Sequence, residues 1–354
     1  MHNLRSALAA SLVLSTACTQ PRGVVPAQSS PSIIRIEQTS GTTALLQAVS
    51  AVSERVVWVS GHDATYARTT DGGNTWQASR VPGDSTLQFR DVYAADENTA
   101  YLMSAGNGAA SRIYKTTDAG RTWALQFTNT EPRAFYDCMD FWDTNHGIAM
   151  SDEVDGRIPI LTTTDGGAHW TASVLAPVAQ PDEGGFAASG TCLVTRPGGH
   201  VWIGTGNAPI TRVLHSSDYG VTWAADTTPL PGGSAIGITS ISYRNLVNGV
   251  VLGGNVGDNA SRGDVAAATH DGGRSWVVGG RPPFAGAIFG GAYVPAARVP
   301  AIVAVGPRGS ALSRDDGMTW TAIDTLGYWA VGFSPHGAGW AVGPRGRITR
   351  LTGF

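Results

Sequence analysis

The residues with the clearest chemical potential recur along the chain. Asp71, Asp118, Asp165, Asp218, Asp271 and Asp315 each stand in the pattern Ser/Thr-x-Asp-x-Gly-x-Thr/Ser-Trp, at intervals of 47, 47, 53, 53 and 44 residues. His169 is the only departure at a core position of the pattern, standing where Thr or Ser is expected. An aspartate in a hairpin turn accepts the backbone N–H groups that the turn leaves unpaired, and the glycine supplies the positive φ. The tryptophan opens the next strand and buries a large ring. The six aspartates are therefore assigned a structural role, not a catalytic one.

The elements that must position these turns are short apolar runs ahead of them. Val57–Gly61, Ala100–Ser104, Ile148–Ser151, Val201–Gly204, Val250–Gly253, Ile302–Gly306 and Trp340–Gly343 read as buried strands. The seventh run reaches Phe354 without an aspartate turn, and Ser32–Gln38 (SIIRIEQ) alternates like a strand able to complete it. Seven units of about 47 residues fit four-stranded propeller blades. The expected fold is all-β: a seven-bladed β-propeller over residues 32–354, its last blade closed by the N-terminal strand.

Composition agrees with that reading and excludes other classes. The 354 residues include 46 Gly and 19 Pro, only 14% are charged, and Trp is abundant at eleven. A net charge of −3 argues against a nucleic-acid binder. Three cysteines cannot make a disulfide-stapled miniprotein or a paired CxxC zinc framework. No metal site is assigned. No GxGxxG opening a helix and no haem-attachment pair appears, so no cofactor is expected.

Residues 1–17 (MHNLRSALAASLVLSTA) read as a secretory signal, with Arg5 as basic flank and too short an apolar run to span a membrane. Ala17-Cys18 ends it in the manner of a bacterial lipoprotein, which makes Cys18 the expected lipidation site. Ser15 departs from that pattern, and cleavage after Val25-Pro26-Ala27 is the alternative, releasing a soluble protein. The 18–31 segment reads as a flexible tether. Both outcomes place the folded part outside the cytoplasm, in the periplasm, on a membrane through Cys18, or secreted.

The aspartate turns resemble the bacterial neuraminidase repeat, or Asp-box. With the Trp340–Ile348 segment (WAVGPRGRI), the chain resembles the photosystem II assembly and stability factor family over roughly residues 33–354. That resemblance implies a non-catalytic seven-bladed assembly factor carrying an arginine-rich patch. Relatives occur in bacteria without photosystem II, so no photosynthetic role follows from it.

Function is expected on the loops between second and third strands, opposite the aspartate turns, where a protein or another macromolecule would dock. Arginines recur there: Arg112, Arg157, Arg212, Arg262 and Arg347 near the third strands, with Arg308 and Arg345 in adjoining loops. They form either a ring for a carboxylate-bearing partner or structural bonds at blade edges. Arg90, Asp91, Tyr136 and Asp137 replace the small residues of other innermost strands and are candidates to line the channel mouth, with Asp152 nearby. The alternative function is a sialidase-like glycosidase, because Arg157-Ile158-Pro159 is similar to the sialidase Arg-Ile-Pro motif. Tyr136, Asp137, Arg90 and Arg157 would then supply the catalytic set. The motif normally precedes the first aspartate turn, whereas here it precedes the third. A polysaccharide-binding propeller without hydrolysis is a third reading. Cys138 and Cys192 fall at aligned positions of adjacent innermost strands. Two separate buried thiols are the expectation, and a disulfide is the alternative.

Overall fold

The computed structural model describes residues 33–354; the assigned signal segment, Cys18 and the tether lie outside the described residues. Seven four-stranded antiparallel sheets make up the described chain, a seven-bladed β-propeller with almost no helix. Blade one shows the plan, with strands Leu46–Ala51, Val57–Gly61, Thr65–Thr69 and Gln77–Arg80 running from the channel outward. The second strands are continuous apolar runs, not alternating ones, because both of their faces are covered. Val57–Gly61, Ala100–Ser104 and Ile302–Gly306 are buried at every residue.

Blade seven closes the ring. Its inner strands Ala330–Phe333, Gly339–Val342 and Arg347–Thr352 come from the C-terminus, and Ile34–Thr39 adds the outermost strand. The pairing runs from Ile34 opposite Thr352 to Thr39 opposite Arg347. Fastening the two chain ends into one sheet leaves no unpaired seam between first and last blades.

Every aspartate turn repeats one hydrogen-bond scheme. Asp71 Oδ1 accepts from the Thr69 hydroxyl (2.8 Å) and the Thr75 amide (2.9 Å), and Oδ2 accepts from the Thr75 hydroxyl (2.7 Å). The Thr69 hydroxyl oxygen in turn accepts from the Gly73 amide at 2.9 Å, where φ is +88°. At the third turn His169 replaces the hydroxyl residue, and its Nδ1 lies 2.6 Å from Asp165 Oδ2. The Thr75 amide and hydroxyl bonds hold the Asp71 carboxyl down at about 2, and the Thr122 bonds hold Asp118 at about 2. Both oxygens of these aspartates are occupied by their own turns.

The motif tryptophans have a second task. Trp76, Trp123, Trp170, Trp223, Trp276 and Trp320 each pack into the apolar cluster shared with the preceding blade. The cluster between blades six and seven has no such tryptophan and draws instead on Ile33, Leu326, Phe333 and Phe354. The repeat therefore encodes the interfaces as well as the turns.

Cys138 and Cys192 form a disulfide, which corrects the expectation of two separate thiols. Innermost strands of neighbouring blades converge toward the channel, and this brings the two Cα atoms to 6.0 Å, inside the range a bridge requires.

Candidate ligand-binding face at the channel mouth

The face opposite the aspartate turns is built from the starts of the innermost strands, the loops joining second to third strands, and the links between blades. A repeated irregularity shapes its centre. The innermost strands of blades one, two, three and five each skip one residue in their pairing, leaving Gln47, Arg90, Asp137 and Thr239 without a cross-strand partner. A bulge of this kind re-aims a side chain. Gln47 and Arg90 accordingly line a cavity of about 250 Å³ with His62, Phe186, Phe289 and Trp329.

Arg90 donates from Nε (3.1 Å) and Nη2 (2.6 Å) to Gln88 Oε1, and its guanidinium lies 5.9 Å from the Phe135 ring centre. Burial and the neighbouring Arg90 charge push the His62 imidazole below its ordinary value, so it is neutral near pH 7. Gln47 is 3% exposed, and neither its Oε1 nor His62 Nε2 has a hydrogen-bond partner.

The other predicted mouth residues point elsewhere. Asp91 is buried, and its Oδ2 accepts the Met139 amide at 2.7 Å, tying blade two to blade three. Tyr136 is buried in the cluster between those blades, edge-on to Phe127 at 5.5 Å, and burial raises its phenol to about 12. Asp137 is buried beside Asp152, whose Oδ1 accepts the Gly185 amide at 3.1 Å. A Cβ at Gly184 would overlap Asp152 Oδ1, so the backbone approach that seats this carboxyl requires glycine.

Burial, reinforced at Asp137 by the Asp152 charge, pushes both carboxyls of this pair upward. Asp137 Oδ2 has no donor within reach, as expected of two acids that share one proton. The sign follows directly. A raised folded-state value gives stability that is complete below the ordinary carboxylate value and lost as pH rises through the raised one. Asp137→Asn, which mimics the protonated acid, should therefore raise the thermal midpoint by a few degrees at about pH 8 and leave it nearly unchanged at about pH 4. Calorimetry at the two pH values checks this; an equal shift at both would show that the pair does not share a proton.

The recurrent arginines divide into two groups. Arg112 pairs with Asp84 at 3.4 Å, Arg157 Nη1 donates to the Ala176 carbonyl (2.8 Å), Arg347 Nη1 donates to Gly327 O (2.7 Å), and Arg212 pairs with buried Glu183. These tie blade edges and links together. Arg262, Arg308 and Arg345, by contrast, make no hydrogen bond or ion pair among the described residues. Arg262 and Arg308 flank a cleft of about 400 Å³ between blades five and six, with Phe284 and Asp324 in its lining. Arg345, at φ +57°, lines a separate groove with Arg80 and Arg347.

Two parts of the face escaped sequence reasoning. Arg281 donates from Nη2 to Ser261 O at 2.6 Å beside the first cleft, on a linking loop that no repeat marks. Phe186 arrives on the long link between blades three and four, whose only sequence signal is one of the two 53-residue intervals.

A solved structure described as YCF48 bound to D1 peptide superposes on 93% of this chain and 99% of its own, with a TM-score of 0.61 and 17% identity. YCF48 from Cyanidioschyzon merolae covers 90% of this chain and 98% of its own, with a TM-score of 0.65 and 13% identity. The shared fold is the seven-bladed propeller. The crystal structure of an ancestral GH74 enzyme matches 89% of this chain at TM-score 0.67 and 14% identity, and this chain spans 46% of that enzyme. No protein-family model and no curated protein sequence matches the chain.

Proposed function

We propose that the chain is a non-catalytic, protein-binding propeller, similar to an assembly or stability factor, whose partner docks on the loop face opposite the aspartate turns. The observation that carries this reading is the set of three arginines, Arg262, Arg308 and Arg345, left without partners on that face, two of them flanking an apolar cleft. A planar guanidinium with free donors suits carboxylates of a polypeptide partner. The likeness to YCF48, one of whose structures holds a peptide, supports a polypeptide ligand over a saccharide. We read the six turns as neuraminidase-type repeats serving the scaffold alone. We also assign the 1–17 segment to export and Cys18 to a lipid anchor. The Cys138–Cys192 bridge supports an oxidising compartment.

No observation favours the glycosidase reading. Tyr136 is turned into the core between blades two and three, and Arg157 is held at a blade edge by the Ala176 carbonyl. The four residues of that set are not gathered around one cavity.

The test is partner capture from membrane extracts by the mature chain. Replacing Arg262, Arg308 and Arg345 together by Ala should lower partner affinity roughly tenfold or more and flatten its salt dependence. Undiminished capture by the triple variant would overturn this assignment. The mass of the mature N-terminus separates lipidation at Cys18 from release after Ala27.

A further inference from the structure

The channel mouth has features that macromolecular docking on the rim does not use. We propose that the cavity lined by Gln47, His62, Arg90, Phe186, Phe289 and Trp329 is a binding site for a small α-hydroxy monocarboxylate with an aromatic or similarly large apolar side chain.

The argument starts from the backbone. Elsewhere the innermost strands present small residues to the channel, but bulges in blades one and two turn Gln47 and Arg90 into this cavity. Phe289 and Trp329 meet edge to face at 5.0 Å and, with Phe186, form apolar walls suited to a ring. Arg90 is the one cation of the lining, and no carboxylate lines it. Gln88 occupies Nε and Nη2, which leaves Nη1 for a ligand's carboxylate. A cavity of about 250 Å³ holds one ring with a short acid chain, not an oligomer.

The unpartnered atoms define the remaining group. Gln47 Oε1 is a buried acceptor with nothing to accept from, a state that costs on the order of 1–3 kcal/mol unless a donor arrives. His62 Nε2 beside it is equally unpartnered, and the ring is neutral. The ligand therefore needs a hydrogen-bond donor next to its carboxylate. A hydroxyl meets that need. An ammonium would also donate, but it would place a second positive charge beside Arg90 in a lining with no acid to balance it. This site is independent of the rim arginines, so failure of the docking reading would leave it untouched.

Isothermal titration of the mature chain with 3-phenyllactate tests the proposal. One saturable site is expected, with 3-phenylpropionate (no hydroxyl) binding roughly tenfold more weakly, and with lactate (no ring) and phenylalanine (ammonium for hydroxyl) weaker still. Arg90→Gln should weaken phenyllactate roughly tenfold or more. Gln47→Leu removes an acceptor that the fold leaves unused, so it should keep the melting midpoint while abolishing the preference for phenyllactate over phenylpropionate. This second variant keeps the test decisive if Arg90→Gln fails to fold. No saturable heat with phenyllactate, or equal affinity in a folded Arg90→Gln protein, would overturn the proposal. Tighter binding of N-acetylphenylalanine than of phenyllactate would overturn it too, by assigning the cavity to a polypeptide C-terminus.

Discussion

Arg212→Met should destabilise the protein by roughly 3–5 kcal/mol, the cost of leaving a buried charge unpaired. The Glu183 side chain is fully buried. Its Oε1 accepts from Arg212 Nε (2.9 Å) and the Thr205 hydroxyl (2.7 Å), and its Oε2 accepts from Arg212 Nη2 and the Gln180 amide (2.8 Å). Arg212 also holds the Val178 carbonyl at 3.1 Å. The guanidinium thus fastens the link between blades three and four, which carries Phe186 to the channel mouth. Denaturant unfolding should show the loss, and hydrogen exchange should rise in the 176–190 segment. Combining Arg212→Met with Glu183→Leu removes both charges and should recover most of the stability. A single variant that lost partner binding at unchanged stability would restore Arg212 to the docking surface.

Loss of the Cys138–Cys192 bridge should cost about 4 kcal/mol, the chain-entropy value for a loop closed across a sequence separation of 54. Both residues are fully buried in the cluster shared by blades three and four, with Ile148, Met150 and Leu193 around them. Cys138→Ala combined with Cys192→Ala also removes two well-packed sulfurs, which adds to the loss. The thermal midpoint should fall by on the order of 8 °C or more. Reductant added to the unfolded chain should reproduce most of that shift, while the native protein, with both sulfurs shielded, should react slowly. Peptide mapping of unreduced protein that recovers both cysteines as free thiols would refute the bridge.

The residues themselves explain why some features were legible in the sequence and others were not. The blade count, the closing strand near Ile34 and the structural duty of the aspartates rest on local chemistry. A carboxylate, two hydroxyls and a glycine within seven residues satisfy one another without help from distant chain. Periodic apolar runs likewise announce strands buried on both faces. The six tryptophans signalled burial but not their target, because the partner surface belongs to the preceding blade.

The candidate site was only partly legible. Arg90 was placed correctly at the mouth, but its neighbours Asp91 and Tyr136 turn away from it, since adjacent residues on a strand alternate in direction and a one-residue bulge resets that alternation. Arg212 and Arg262 occupy matching positions in the repeat, yet one is neutralised by Glu183 and the other is free. The difference lies in a link that the repeat does not encode.

The sequence by itself determined the repeating unit, its number and the turns that shape it, because each depends on contacts within a few residues. Tertiary structure alone decided which arginines stay free, that Cys138 meets Cys192, and that Gln47, His62 and Arg90 share a cavity with Phe289 and Trp329. Those outcomes depend on how separate blades converge at one axis and on single-residue bulges that re-aim side chains there, and neither leaves a mark on local sequence pattern.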